Sequence, residues 1–229
     1  MLSIIIPTLD EESAIAECLA RMQPMRAAGA ELIVVDGGSR DATRELAAPL
    51  ADRVIEAPRG RAAQMNAGAR ASRGDVLLFL HADTVLPPGA LGHVATGLAA
   101  SGRAWGRFDV AIAAADPLLA VVAILMNARS RLTGIATGDQ AMFARRAAFE
   151  SVGGFPEIAL MEDVALSSRL RRVGRPLCLA ARVVTSGRRW QRHGTLRTIL
   201  LMWRLRLEYA LGADPGRLAR RYDVERTFP

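Results

Sequence analysis

The chain has 229 residues, 51% of them hydrophobic, with two cysteines and with arginine as its only basic residue besides histidine. This length suffices for one sizeable domain with its own core. Two cysteines exclude a disulfide scaffold and favour a reducing cytoplasm. The first residues, Met-Leu-Ser-Ile-Ile-Ile-Pro, have no basic segment ahead of the apolar run. We therefore expect no signal peptide and a cytoplasmic location.

Charge is distributed unevenly along the chain. Residues 1–163 carry 15 Arg and 19 acidic residues, a net charge of −4, whereas residues 164–229 carry 15 Arg and 4 acidic residues, a net charge of +11. A basic C-terminal end predicts a polyanionic ligand or an anionic membrane surface there. Aromatic residues are few in this part, which disfavours a stacking platform for nucleic acid, and we expect no nucleic-acid partner.

Strand and helix patterns alternate in the first 80 residues. We predict strands at 2–6, 31–36, 53–56 and 76–80, separated by helices at about 11–27, 41–50 and 62–72. The short links between them indicate βαβ units, hence a parallel sheet with right-handed crossovers. Neither GxGxxG nor GxxxxGK[ST] occurs in the first strand-to-helix turns, which weakens the dinucleotide and P-loop interpretations.

The second half is less regular. We predict strands at 105–112 and 177–184, a return to the sheet over 137–143, and helices that begin near residues 88, 117, 145, 161 and 195. Asp116-Pro117 is typical of an N-cap followed by Pro at the first helical position. The nine apolar residues Leu118–Met126 that follow are far short of a membrane span, which needs about 20. They predict a buried helix or a shallow membrane contact.

Acidic residues follow several of the predicted strands. Asp10 and Glu11 come after the first strand, Asp36 ends the second, and Asp83 follows the apolar run that ends at Leu80. Carboxyl ends of parallel strands meet at one edge of a sheet, where ligands bind. Clustered carboxylates repel unless a cation or hydrogen-bond donors offset them, so Asp83 is a candidate ligand for a divalent cation. The alternative is a solvated loop that caps the helix beginning near residue 88.

Several segments, in matching order over residues 2–193, resemble those of the family-2 glycosyltransferases of GT-A fold. The segments are Ile4–Glu11, Val34–Thr43, Arg59–Gly68, His81–Asp83, Glu162–Asp163 and Arg188–Trp190. The resemblance implies an α/β fold with a Rossmann-like, mostly parallel sheet flanked by helices over residues 1–193. We expect a C-terminal helical extension, residues 194–229, packed on this domain or at a membrane or subunit surface.

The resemblance also implies a donor site for a nucleotide sugar, with Asp36 as a contact to the base. The residues implied to line it are Pro7, Thr8, Asp10, Glu11, Asp36, Arg59, Gln64, Asn66, His81, Ala82, Arg188, Arg189 and Trp190. A divalent metal, Mn²⁺ or Mg²⁺, is implied on Asp83 and His193. His81 stands where the family usually has a first Asp, so it is either a softer metal ligand or a hydrogen-bonding edge residue. His193 is alternatively a surface residue.

On the acceptor side, the resemblance implies roles for Glu162 and Asp163 and places Gly138, Asp139 and Gln140 near them. Asp163 is implied as the general base of an inverting transfer from a sugar donor that we expect to be UDP-linked; the acceptor is unknown. Alternatively, Asp163 is an acid stabilised at a helix start, and residues 138–140 form a plain turn. The amino-acid sequences of these segments most resemble those of a small bacterial branch of the family. That branch is named for its genomic association with radical-SAM and selenium or arsenic-sugar genes.

Two other functions remain open at this stage. A sugar-1-phosphate nucleotidyltransferase shares the α/β layout and a metal, but it carries a glycine-rich and basic loop after its first strand. Here that position is Pro7-Thr-Leu-Asp-Glu-Glu12, which is acidic. The non-enzymatic alternative is a basic module that binds nucleic acid or a membrane surface through the C-terminal third.

The predicted C-terminal helix, residues 195–212, is amphipathic. Its apolar stripe consists of Leu196, Ile199, Leu200, Trp203, Leu207 and Leu211. Arg206 points into the apolar side, and we expect it to extend to the rim. The stripe predicts a peripheral contact with anionic lipid at the inner face of the cytoplasmic membrane. The alternatives are docking on the body of the domain or pairing with another subunit in a homodimer.

Overall fold

The structure is a computed structural model that describes residues 1–188, 190 and 194–227, with side chains as far as residue 222. Its strands are β1 Leu2–Thr8, β2 Glu31–Asp36, β3 Arg53–Glu56, β4 Val76–Phe79, β5 Thr84–Val85, β6 Trp105–Ala113, β7 Phe143–Arg145 and β8 Leu177–Ser186. Its helices are α1 Ile15–Ala27, α2 Thr43–Ala47, α3 Arg61–Ala71, α4 Ala90–Ser101, α5 Pro117–Thr133, α6 Arg146–Ser151, α7 Glu162–Val173, α8 Thr195–Ala210 and α9 Pro215–Thr227. Residues 138–140 form a 3₁₀ turn.

The strands form one sheet in the order β3-β2-β1-β4-β7-β6-β8-β5. The first four are parallel, and β8 is parallel to β6. Strand β7 runs antiparallel to β4 and β6, and β5 runs antiparallel to β8. The predicted α/β class is therefore confirmed. The two-residue strand β5, which the sequence pattern does not predict, ties the segment after Asp83 to the far side of the sheet.

Both faces of the sheet are buried at β1, β2 and β4, as the apolar runs of these strands predict. Successive residues point to opposite faces, so Ile4 and Ile6 pack with α1 in one core while Ile5 packs with α3 in the other. Helix α3 lies very close to the sheet at Gly68. A Cβ there would stand 2.4 Å from the Ile5 side chain and 2.9 Å from that of Val35.

Helix α5 is capped as expected, with the Asp116 side chain accepting from the Leu118 N–H at 2.9 Å. The apolar run of α5 is not buried as a whole, however, so the expectation of a buried helix is wrong. Leu119 and Ala123 are buried, but other apolar side chains of the run face solvent and are 46–63% exposed. These side chains are Leu118, Val121, Ile124 and Leu125.

The prediction that the stripe of the C-terminal helix docks on the body is also wrong. Leu196, Leu200 and Trp203 are 67–71% exposed, and Leu207 and Leu211 are exposed with them. The opposite face of α8 is the buried one, because Leu205 packs with Leu218 and Tyr222 of α9 and with Met161 before α7. None of the described helices is long and apolar enough to cross a membrane.

Candidate active site

The loops after β1 and β2 are joined by hydrogen bonds. The Ser39 hydroxyl accepts from the Asp10 N–H at 2.9 Å, and the Asp10 carboxylate accepts from the Arg40 N–H at 2.8 Å. Asp10 has a φ of 53°, a left-handed conformation that Asp tolerates better than most residues. The next residue, Glu11, donates its N–H to the Thr43 hydroxyl at 2.8 Å. These contacts fix the shape of the sheet edge where the first two sequence segments meet.

Asp36 shapes the second loop from inside. Its side chain is buried and accepts from the Gly38 N–H at 2.9 Å, the Ser39 N–H at 2.8 Å and the Ser39 hydroxyl. Three donors therefore surround the carboxylate that the resemblance implies as a base contact. Pro7 and the buried Thr8 lie beside it, where β1 pairs with β2 up to Thr8 and Asp36.

Two amides of α3 have structural partners. Gln64 donates to the backbone carbonyls of Thr8 at 2.7 Å and Val35 at 2.8 Å, so it holds together the ends of β1 and β2. Asn66 instead exchanges two hydrogen bonds with the backbone of Phe155, at 2.8 and 2.9 Å. It lines a separate cavity of about 510 Å³ between α3, α6 and the segment at 153–157. The structure therefore does not bring Asn66 to the strand-end carboxylates.

On the donor side, the structure places a group of charged side chains within electrostatic reach of one another. Burial raises the pKa of Glu11, the Asp83 carboxylate raises it further, and Arg188, Arg61 and His81 oppose the rise. Arg61, the first residue of α3, belongs to this group, although the sequence pattern places it in a loop without a role. Arg59, which the resemblance implies in the donor site, is exposed in the loop that precedes α3.

Asp83 lies in a turn directly after β4. The His81 carbonyl accepts from the Thr84 N–H at 3.1 Å, and the Thr84 hydroxyl lies 3.4 Å from a carboxylate oxygen of Asp83 and 3.2 Å from the Thr185 hydroxyl. Asp83 and Glu11 are hard oxygen donors, and a cation between them would relieve the repulsion that raises the pKa of Glu11. The donor chemistry fits a divalent ion. The described residues contain no cluster of three or more metal-ligating side chains.

His81 connects this group to the acceptor-side segment. Its Nδ1 lies 3.6 Å from the Asp139 carboxylate. A Cβ on Gly138 would stand 2.6 Å from the imidazole, so this close approach requires glycine. Ala82, between His81 and Asp83, is buried.

Glu162 and Asp163 occupy the first turn of α7 but differ in surroundings. Asp163 accepts from the Gly138 N–H at 2.8 Å through one oxygen and from the Val164 N–H at 2.6 Å through the other. Glu162 is buried, and this burial, with the neighbouring Asp163 charge, raises its pKa to about 7. The two carboxyls therefore differ in setting: Glu162 is buried, whereas the half-buried Asp163 is fixed by two backbone N–H donors beside Gly138.

Gln140 is not a surface contact residue. It is fully buried, forms a capping box with Thr137, and donates to the Ser130 hydroxyl at 3.1 Å. Its amide therefore supports the turn that presents Gly138 and Asp139. The predicted turn is thus present, with the glycine and the aspartate facing His81.

The last predicted segment is described only in part. The exposed Arg188 bonds to the Ser186 hydroxyl through its backbone N–H at 3.2 Å and its Nε at 3.1 Å. Trp190 is half-buried. The predictions for Arg189 and His193 fall outside the described residues.

Two further arginines, without a signal in the sequence motifs, lie near the acceptor-side acids. Arg129 of α5 and Arg206 of α8 both interact electrostatically with Asp163. Arg206, which we expect to extend to the rim, is half-buried, and its Nε is buried. Their separation in sequence hides them, since positions 129 and 206 are 77 apart and lie on two different helices.

The sheet order and the carboxylates at its strand ends define a GT-A-type domain. The most informative solved structures agree on the fold. A mannosyltransferase from Pyrobaculum calidifontis, in complex with GDP-Man and Mn²⁺, matches 80% of this chain and 56% of its own, with a TM-score of 0.62 and 23% identity. TarS from S. aureus, in complex with UDP-GlcNAc, matches 81% of this chain and 58% of its own, with a TM-score of 0.65 and 16% identity.

Sequence comparison identifies the family. Residues 3–150 match the model for glycosyl transferase family 2, and the chain belongs to this family. A probable glycosyltransferase, YdaM of Bacillus subtilis, is 27% identical over 234 aligned residues, which cover 92% of this chain. The chain spans 54% of the length of YdaM and less of other curated relatives.

Proposed function

We propose that the chain is an inverting, metal-dependent glycosyltransferase that moves a sugar from a UDP-linked donor to an acceptor hydroxyl. The observation that carries this proposal is the position of Asp163. Its carboxylate is held by the Gly138 N–H, in the segment that contacts His81, and His81 also interacts with Glu11 of the donor side. A base on one side and charges suited to a diphosphate on the other support transfer between two substrates.

In the proposed reaction, Asp163 takes the proton of the acceptor hydroxyl while the hydroxyl oxygen attacks the anomeric carbon. The bond from that carbon to the diphosphate oxygen breaks, and the nucleoside diphosphate leaves from the opposite face of the sugar. Glu162 is buried in the first turn of α7, and the proposal gives it no role as base. Asp83 and Glu11 would hold a divalent ion, which when bound offsets charge on the diphosphate. Arg188, within electrostatic reach of Glu11, contributes a second positive group.

The test replaces the base and, as a matched control, its neighbour. Asp163→Asn should bind the donor as the wild type does but lose transfer by about 10²–10⁴-fold, the usual cost of removing a general base. Glu162→Gln should keep most of the activity, because the proposal assigns the base to Asp163 and Gln keeps the size of the buried side chain. Donor binding is measured by calorimetry and transfer by release of nucleoside diphosphate. Near-normal turnover of Asp163→Asn, with loss in Glu162→Gln, would assign the base to the wrong carboxylate.

The choice of UDP is supported by the acidic, hydrogen-bonded loops around Asp10 and Asp36, whose acceptor groups suit a pyrimidine N–H. The solved structures contain UDP-GlcNAc in one case and GDP-Man in the other, so the base must be tested directly. Competition between UDP, GDP and ADP, with and without Mn²⁺, should rank UDP first. Equal affinities for the three would contradict the proposal, as would binding that ignores Mn²⁺.

We also propose that the chain belongs to the bacterial branch associated with radical-SAM and selenium or arsenic-sugar genes. The sequences His81-Ala-Asp-Thr84 and Gly138-Asp-Gln140 support this assignment. That assignment concerns genomic context and identifies neither sugar nor acceptor. It predicts that genes of those classes lie next to the coding sequence in its genome, and their absence there would count against it.

A peripheral contact with an anionic membrane, on the cytoplasmic side, completes the proposal. Helices α5 and α8 present neighbouring exposed stripes, the apolar platform, and their N-terminal ends are joined by a hydrogen bond from the Thr195 hydroxyl to Asp116. The apolar platform consists of Leu118, Val121, Ile124, Leu125, Leu196, Leu200, Trp203 and Leu207. Arg197 and Arg204 flank the stripe of α8, and the charge of +11 over residues 164–229 favours an anionic surface.

Liposomes test this contact. The protein should co-sediment with phosphatidylglycerol vesicles at low salt, less so at high salt, and poorly with phosphatidylcholine vesicles. Leu200→Glu should weaken binding, whereas Leu46→Glu, an exposed leucine of α2 outside the platform, should not. The membrane proposal is wrong if the wild type does not bind vesicles and Leu200→Glu instead dissociates a homodimer in analytical ultracentrifugation. In that case a second copy of the chain covers the platform.

A further inference from the structure

Two arginines near Asp163 have hydrogen-bond donors without acceptors. Arg129 and Arg206 are half-buried, and the Nε of each, together with Nη2 of Arg129, is buried without a hydrogen-bond partner among the described residues. Desolvated guanidinium donors without acceptors cost free energy. The described part of the chain therefore contains a donor site that an added acceptor group would complete.

The charges around this site leave it positive. Burial lowers the pKa of Arg129 to about 10, Arg206 and Arg107 lower it too, and Asp163 opposes the change. Burial also lowers the pKa of Arg206, opposed by Asp163 and Asp139. The fully buried Arg107 is already paired with Asp109, whose other oxygen binds Arg131 at 2.6 Å.

The available counter-charges are engaged elsewhere. Asp163 binds the Gly138 N–H and Asp139 lies against His81. Neither carboxylate accepts a hydrogen bond from Arg129 Nε or Arg206 Nε. An anionic group bound between the two guanidiniums would satisfy their donors without displacing these contacts.

The helices place the pair at the inner end of the apolar platform. Thr195 and Asp116 join the N-terminal ends of α8 and α5, and Arg206 and Arg129 lie about three turns further along their helices. Arg206 lowers the pKa of Arg129, so the two guanidinium groups are close enough to interact electrostatically. Both arginines also interact with Asp163, so the pair lies near the acceptor-side acids.

We propose that Arg129 and Arg206 bind a phosphate group of the acceptor, so that the acceptor is a phosphorylated molecule whose hydroxyl reaches Asp163. Two planar guanidiniums match phosphate oxygens through paired hydrogen bonds, which a point charge does not provide. This inference rests on the proposed function, because it names the substrate class of the same site. A glycerol phosphate unit, with an anion beside a hydroxyl, has the required chemistry, either in solution or as the headgroup of phosphatidylglycerol.

The first experiment measures binding of inorganic phosphate by calorimetry without any donor. Arg129→Gln and Arg206→Gln should each weaken binding roughly tenfold, the loss expected for one charge-assisted contact. Arg21→Gln is the control, because Arg21 is an exposed arginine of α1 that pairs with Glu17; it should bind as the wild type does. Equal binding by all four proteins, or equal loss in the control, would overturn the proposal. If Arg129→Gln does not fold, Arg206→Gln and Arg206→Met decide the question alone.

UDP binding to the same variants separates the two proposals. Unchanged UDP affinity with weakened phosphate binding supports the anion site, whereas unchanged affinity for both overturns it without touching the proposed function. Absence of UDP binding and of transfer in the wild type would overturn the proposed function alone. With donor present, glycerol 3-phosphate and phosphatidylglycerol vesicles are then compared as acceptors. The source of the phosphate is the one whose turnover falls in Arg129→Gln and Arg206→Gln but not in Arg21→Gln; equal turnover by all three variants and the wild type overturns the inference.

Discussion

Glu162 provides a test of the electrostatics of the candidate site that does not need a substrate. Burial, reinforced by the Asp163 carboxylate, raises its pKa from 4.5 to about 7. The folded chain therefore keeps a proton that the unfolded chain releases above about pH 4.5. Because the folded state binds more protons, this group makes stability fall as pH rises from about 4.5 to 7, after which its cost levels off.

The magnitude follows from the size of the shift. At 1.36 kcal/mol per pKa unit, the cost at pH 8 is roughly 3 kcal/mol. Glu162→Gln keeps the size and hydrogen-bonding ability of the protonated side chain and has no charge to lose. We therefore expect similar stability of variant and wild type at pH 4.5, and a more stable variant at pH 8.

Urea unfolding at both pH values measures the difference. A gain of roughly 3 kcal/mol corresponds to a midpoint shift of about 1 M or more at the usual urea sensitivity of 1–3 kcal/mol per M. Glu150→Gln is the control, because Glu150 is an exposed residue of α6 and its replacement should leave the pH dependence unchanged. A difference between Glu162→Gln and wild type that is the same at pH 4.5 and pH 8 would refute the reasoning.

Three further substitutions test the geometry. Asp83→Asn should abolish the Mn²⁺ dependence of donor hydrolysis and keep the far-UV circular dichroism of the wild type; persisting dependence would place the ion elsewhere. Gly138→Ala, whose Cβ would stand 2.6 Å from His81, should lower kcat by displacing the imidazole, whereas Gly92→Ala, with open space around it, should not. Gly68→Ala should lower the free energy of unfolding by about 1–3 kcal/mol, the usual cost of overpacking, and an unchanged urea midpoint would contradict the packing of α3 on β1.

Much of the N-terminal half was predictable because its signals are local. Strands β2 and β3 have the predicted bounds, since short runs rich in β-branched residues and bounded by turns mark strands wherever they occur. Helix bounds were less accurate. The predicted helix from residue 11 begins at Ile15, because residues 11–14 form a turn in which the Glu11 carbonyl accepts the N–H groups of Ala14 and Ile15.

The residues of the candidate site also divide into those that a local motif identifies and those that only the packing of the chain places. The sequence motifs were enough to select His81, Asp83, Asp139 and Asp163, which the structure places around the same sheet edge. The same motifs also selected Asn66. Orientation on α3 turns Asn66 toward Phe155, and no local pattern reports which way such a side chain faces. Whether these residues have the roles implied for them remains a prediction.

The sequence by itself determined the α/β class and the approximate strand positions, because hydrophobic runs and turn residues act within a few positions of one another. Only the tertiary structure decided which face of α8 is covered, since α9 buries Leu205 and leaves Leu200 in solvent. It also decided that Glu162 is buried beside Asp163 and that Arg129 and Arg206 converge there. Burial and charge proximity depend on packing between distant segments, and an amphipathic pattern does not specify which partner will cover it.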